Sequence, residues 1–427
     1  MTDPQPVRLR DGVRDSLAVF LAVRIAFSLL GLLAVGMIVP RESPPVVAGW
    51  PIEPVTFEAA TFEWTSVFTA AERQDAARFL AIATRGYDPA DGSAAFFPLY
   101  PALINAADRL PGLGPLGAAL LASNACFAGA LVMLHGLTRL EGMSREAARL
   151  TVMLVAIFPT AFFFLAPYSE GPFLLASVSA FWFARRDRWG LAALAGAFAA
   201  STRSVGVLLV LALAVEAVHR SRSDERPLAP RLTAAFAVAL GPLLYLAWWR
   251  VRFGDALAPF TAQRSWRRET RPPWQTLIEA GSAAWRYGSY WLVDVVVVVV
   301  VLIAVVAGLR RLRASYSVYA LVSLALPLVY AWPTRPLLSM PRFVVVIFPG
   351  FWVMARAVER RHVPEPVVVA AFAGGYALLG ALFMTWWDVS DAAGVDGSHR
   401  RAARATRMCG ARGPSGRKRD DQGCHRG

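Results

Sequence analysis

Charge is scarce along this chain. Asp, Glu, Lys and Arg make up 17% of its 427 residues, while 56% are hydrophobic. A soluble domain carries about 25% charged residues to cover its surface, so that class is excluded. Cysteine is nearly absent too: Cys126, Cys409 and Cys424 lie far apart and supply neither a disulfide framework nor a zinc ligand set. Lysine occurs once, at Lys418, so the basic charge is almost entirely arginine. With abundant alanine, that pattern fits a biased genome composition. No small-residue cleavage site follows the first apolar segment, which is therefore expected to stay as a helix. No inverted internal repeat, the mark of an alternating-access transporter, is visible.

What the chain does contain is long apolar runs, with a mean hydropathy of +0.45. Leu17 to Val39, Leu232 to Trp249, Val293 to Leu309 and Val367 to Trp387 are each close to the roughly 20 residues that cross a hydrocarbon core as a helix. The net charge of +14 is not a nucleic-acid footprint, because half of it sits between His399 and Gly427, where nine Arg or Lys face two Asp. That Gly, Arg and Ser-rich tail cannot bury a core and is expected to be disordered. A shifted or extended reading frame is an equal account of it. The expected division is a membrane domain over 1–391 and a basic tail over 392–427.

Orientation follows from arginine in short loops. Arg8, Arg10 and Arg14 precede the first span and place the N-terminus in the cytoplasm. A less apolar segment over about 40–115, with nine acidic and five basic residues, then lies outside. Spans near Gly117 to Leu137, up to Pro167 and back to Arg185 alternate with the basic loops Arg139 to Arg149 and Arg185 to Arg188. Trp189 to Val218 is apolar but interrupted by Ser201-Thr202-Arg203-Ser204, and a further basic loop follows it (Arg220 to Arg231). A hairpin of two short helices with a buried polar turn keeps both basic loops inside. One continuous tilted helix is the competing arrangement. With the hairpin, the later spans leave Arg310 to Arg313 and Glu359 to His362 inside, and Arg252 to Tyr290 and Thr334 to Arg342 outside. The last span then directs the basic tail outward, against the charge rule. The expected fold is an all-α polytopic bundle of about 9–11 transmembrane helices, with short interfacial helices in its large first external loop.

Three features carry chemistry. Gln74-Asp75 opens a segment with apolar residues at helical spacing (Phe79, Ile82, Ala83), and a carboxylate at a helix start is held ionised by the dipole. Such a group can take a proton from a sugar hydroxyl, although on residue type alone an ordinary helix cap is the favoured reading. Glu170 stands at the edge of an apolar span, where an ionisable group needs a partner, and Arg203 is the candidate. A structural ion pair is the plainer account of both. Outside loops should be poor in arginine, yet Arg252, Arg264, Arg267, Arg268, Arg271, Arg335 and Arg342 fall there. A guanidinium fork suits phosphate, whether on a bound substrate or on lipid headgroups.

Gln74-Asp75 with Ile82-Ala83 and Gly86-Tyr87, then Phe96-Phe97-Pro98-Leu99-Tyr100-Pro101, Phe158-Pro159-Thr160, Ala166-Pro167-Tyr168-Ser169-Glu170-Gly171, Thr202-Arg203 with Gly206, and Ser339-Met340-Pro341-Arg342 run in one order. As a set they resemble the GPI mannosyltransferase 2 family and its bacterial relatives. The resemblance implies a GT-C glycosyltransferase of the bacterial plasma membrane with an extracytoplasmic site. It also implies a polyprenyl-phosphate-linked sugar as donor, inversion at the anomeric carbon and no metal cofactor. Asp75 matches the position of the family's catalytic aspartate, although Gln74 stands where an aromatic residue commonly precedes it. Donor and substrate contacts are expected from Arg78, Tyr87, Tyr168, Glu170, Thr202, Arg203, Gln263, Arg264 and Arg342. The partners implied are the lipid-linked donor, a glycolipid, glycan or protein acceptor, and membrane lipids, with no nucleic acid. A lipid or sugar transporter and a non-catalytic subunit are the rival readings.

Overall fold

In hydrocarbon every backbone N–H and C=O must be satisfied within its own segment, so apolar runs of this length fold as helices. The computed structural model describes residues 9–37, 65–264, 268–333, 335–360 and 363–385, which are helical almost throughout. Among them one two-residue β pairing occurs, Glu269–Thr270 against Tyr330–Ala331. Five helices are long and apolar enough to cross a membrane: Gly12–Met37, Gly114–Leu140, Ser204–Asp224, Trp291–Gly308 and Glu365–Met384. Leu228–Ala237 and Leu240–Phe253 are long and apolar enough only as a pair, bent by 43° between them, which makes them one broken span or a re-entrant loop. The protein is a multi-pass membrane protein.

Other crossings are assembled from shorter pieces, because turns and prolines break them. They are recognised by contacts at opposite ends of the bundle. Glu170–Arg185 begins at the site described below and ends on Glu141 and Glu216. Ala314–Val329 starts where Ser315 donates to Glu216 (2.6 Å) and ends at the β pairing of Tyr330 with Thr270. Arg145–Ile157 continues through the turn Ala161–Phe164, with Arg145 on Asp15 (3.0 Å) at one end and Thr160 donating to the Pro341 carbonyl (2.8 Å) at the other.

These contacts sort the loops into two sets. At one end Arg185 and Arg313 share Glu141 and Glu216, Tyr316 donates to Glu141 (2.8 Å), and Ser144 donates to Glu359 (2.7 Å). That end gathers the arginine-rich loops that the charge rule places inside. At the same end one guanidinium, Arg231, bonds both Asp187 (2.7 Å) and Asp224 (2.6 Å). Asp187 precedes the helix Trp189–Thr202 and Asp224 closes the helix Leu209–Asp224. A single helix over this stretch would separate the two by about 55 Å at 1.5 Å per residue. The segment is therefore the hairpin and not one tilted helix, broken at Arg203, where the backbone is extended (φ −151°, ψ 144°). The last helix, Glu365–Met384, ends at the opposite pole, where Arg73 grips the Met384 carbonyl. The segment 40–64 of the first loop and the basic tail lie outside the described residues.

Candidate active site

The helix Asp75–Arg85 begins abruptly. Gln74 adopts φ 52°, a conformation uncommon for a residue with a side chain. Its neighbours hold it. Arg73 donates to the Met384 carbonyl from Nε (3.0 Å) and Nη2 (2.7 Å), and the Tyr168 hydroxyl donates to the Arg73 carbonyl (2.9 Å). The apolar stripe of this helix, Phe79, Ile82 and Ala83, packs with Phe96, Tyr100 and Ile104 inside the protein. Asp75 is thereby fixed as the first helical residue, 5% exposed.

Around Asp75 the chain collects charges from its own helix and from three distant segments. Arg342 donates from Nη1 to Asp75 Oδ2 (2.8 Å), and its Nε lies 3.0 Å from Glu170 Oε1. Arg78, one turn along the helix, reaches Asp75 Oδ1 at 3.4 Å. Arg203, from the break in the hairpin, bonds Glu170 Oε1. Glu170 is wholly buried at the first turn of its helix, where the dipole favours a carboxylate. Its Oε2 has no hydrogen-bond partner among the described residues. Aromatic rings floor the cluster: Arg342 lies over Tyr168 (5.3 Å) and Phe343 (5.3 Å), and Arg203 over Phe343 (5.0 Å). Two carboxylates, Asp75 and Glu170, thus meet the guanidiniums of Arg78, Arg203 and Arg342. Burial alone would raise the Asp75 carboxyl. The guanidiniums of Arg342 and Arg78, with the direct bond from Arg342, outweigh it and hold the group below the ordinary carboxylate range.

The geometry thus brings together Asp75, Arg78, Tyr168, Glu170, Arg203 and Arg342. Tyr87 and Thr202 do not reach the cluster. The Tyr87 hydroxyl donates to the Phe96 carbonyl (2.9 Å), and its ring sits among Tyr245, Trp248 and Trp249. Thr202 donates to the Phe198 carbonyl of its own helix (2.7 Å). Gln263 and Arg264 end the helix Ala258–Arg264, which packs by the turn Ser93–Ala95, and their side chains lie outside the described residues.

Sequence reading passed over two supports. Arg73 is one; nothing in its local pattern announces a bond to a carbonyl 311 positions away. The other is Asp294, which holds Arg335 (2.6 and 3.0 Å) and anchors the segment leading to Arg342; Arg335, expected among the outer arginines that suit phosphate, is bound to this buried carboxylate. A lone carboxylate in the valine run 293–301 was the available signal for it.

A family model described as mannosyltransferase (PIG-V) matches residues 15–246, a stretch that holds every member of the cluster except Arg342. No curated protein matches the chain. Among solved structures, the chain is similar to ArnT from Cupriavidus metallidurans bound to undecaprenyl phosphate. The two share 14% identity with a TM-score of 0.49, over 93% of this chain and 81% of that one.

Proposed function

The chain belongs to the mannosyltransferase (PIG-V) family, and from that premise we propose that this membrane glycosyltransferase moves mannose from a polyprenyl-phosphate carrier to an acceptor hydroxyl on the outer side of the membrane. The observation that supports the donor class is the convergence of buried guanidiniums on one spot. Arg342 and Arg203 both turn toward Glu170, and Arg342 reaches on to Asp75, so a phosphate entering beside them would meet two positive groups at once.

In this reading the acceptor hydroxyl attacks the anomeric carbon from the face opposite the phosphate. The C1–O bond to the carrier breaks, the carrier phosphate leaves with the electron pair, and Asp75 takes the hydroxyl proton. Arg342 and Arg203 meet the charge gathering on the leaving phosphate; positioned donors of this kind are each worth roughly 2.7–4 kcal/mol of barrier. Glu170 spaces the two guanidiniums and offers Oε2 to a sugar hydroxyl. Arginine crowding the opposite end of the bundle supports an outward-facing site.

Purified protein with labelled polyprenyl-phosphate-mannose and candidate acceptors tests the scheme. Asp75→Asn keeps the side-chain size but removes the base and one of the two oxygens that accept from Arg342 and Arg78, so transfer should fall by at least 100-fold in a protein that still folds with a lowered thermal midpoint. Near-normal transfer removes Asp75 as the base. Because guanidiniums compensate the leaving charge, activity should survive EDTA; loss on chelation with recovery on adding a divalent cation refutes a metal-free departure.

A further inference from the structure

At the opposite end of the bundle three arginines line a cavity of about 200 Å³: Arg311, Arg356 and Arg360, with Val353 and Ala357 as its apolar wall. Taking roughly 30 Å³ per water, that space holds about six waters, or one phosphate with part of a glycerol. Of the neighbouring carboxylates, Glu141 and Glu216 pair with Arg185 and Arg313, while Glu359, next to Arg360, accepts from Ser144 and keeps its charge at the rim. None of the three lining guanidiniums forms an ion pair with a described residue. Arg356 lies in the last turn of the helix Phe348–Glu359 and Arg360 caps that helix, and Arg311 comes from the turn after Trp291–Gly308. Gly308 is what lets that turn close in: a Cβ there would meet Leu312 and Val353, each at 3.1 Å.

The approach to the cavity is equally specific. Leu292, Val296, Val299, Ile303 and Val306 form an exposed apolar stripe on Trp291–Gly308, at spacings of three and four. In a bilayer that stripe faces acyl chains, and it ends about one turn before Arg311. We propose that this cavity is a binding site for the phosphodiester headgroup of an anionic phospholipid of the arginine-rich, inner leaflet. The three guanidiniums bond the phosphate oxygens in pairs, and the tails lie along the valine stripe. This site is separate from the transfer site and does not depend on the reading of it.

The test uses the full-length protein in nanodiscs of phosphatidylcholine. Titration with phosphatidylglycerol, followed by native mass spectrometry and thermal midpoint, should show saturable binding that the triple change Arg311→Gln, Arg356→Gln, Arg360→Gln weakens by roughly 100-fold. Arg222→Gln, in a different basic loop of the same end, should leave it unchanged. Dioctanoyl-phosphatidylglycerol should compete, while inorganic phosphate alone should not. Equal competition by inorganic phosphate overturns the lipid assignment in favour of a free anion. Wild-type affinity in the triple variant, or an equal loss from Arg222→Gln, overturns the site itself. If the triple variant fails to fold, Arg356→Gln alone should still weaken binding several-fold, and unchanged binding there counts against the proposal.

Discussion

A carboxylate clasped by two guanidiniums gives up basicity and gains position. Asp75 is buried, which on its own would favour the neutral acid, yet Arg342 and Arg78 overcome that and keep it ionised. Its folded pKa lies below the unfolded value of about 3.9, so whatever stability the charge contributes is complete above that value and is lost as pH falls through the folded one. Across pH 5 to 8 neither fold nor base should respond to this group. The acid limb of kcat/KM for the free enzyme should then lie under about pH 4. Arg342→Gln removes the largest lowering influence while burial persists, so the limb should move upward toward neutrality along with the overall loss in rate. A profile measured on both proteins separates the two effects. A loss of rate with the limb unmoved would show that Arg342 serves the donor phosphate but does not set the state of Asp75.

The hairpin is the element on which the cluster turns, since it delivers Arg203 to Glu170 from the arginine-rich end of the bundle. Its tip tolerates no extra atom. A Cβ on Gly206 would fall 2.4 Å from the Ala199 carbonyl oxygen and 2.6 Å from the Ala200 Cα, both backbone atoms that cannot swing aside. Gly206→Ala should therefore open the turn, cost about 1–3 kcal/mol, and lower transfer more than stability by drawing Arg203 off Glu170. Gly190→Ala, where nothing lies within 4 Å, is the matched control on the same hairpin. Thermal midpoints and transfer rates of the pair decide it; equal behaviour would mean the tip adapts freely. This element also marks what a sequence can tell. Polar residues 201–204 inside an apolar run, between two basic loops, announced the break, and the lone Glu170 announced a need for Arg203. Tyr168 belonged to a recognisable block, but its task, holding the Arg73 carbonyl, was invisible there. So was the tie from Arg335 to Asp294. Periodicity and charge report what a segment faces, whereas such bonds join segments tens to hundreds of positions apart, and only the packed chain brings them together. Tyr87 and Thr202 lie in recognisable blocks too, yet both hydroxyls serve nearby carbonyls.

At the scale of the molecule, the charge rule and the ion pairs give the same division independently. Loops assigned inside by arginine count meet at Glu141, Glu216, Asp187 and Asp224, and segments assigned outside meet at Asp75, Glu170 and the β pairing of 269–270 with 330–331. The ion pairs sort the segments into two ends of the bundle, and the charge rule alone says which end faces inward. Single cysteines placed at Ala90 and at Ser223, both exposed, read that orientation directly. The background needs Cys126, Cys409 and Cys424 replaced by serine. In right-side-out vesicles an impermeant maleimide should modify Ala90→Cys and spare Ser223→Cys until the membrane is permeabilised; inverted vesicles should reverse the pattern. Labelling of position 90 from the cytosolic side would turn the bundle over, place the carrier-linked sugar in the inner leaflet, and put the arginine cavity of Arg311, Arg356 and Arg360 against the outer one.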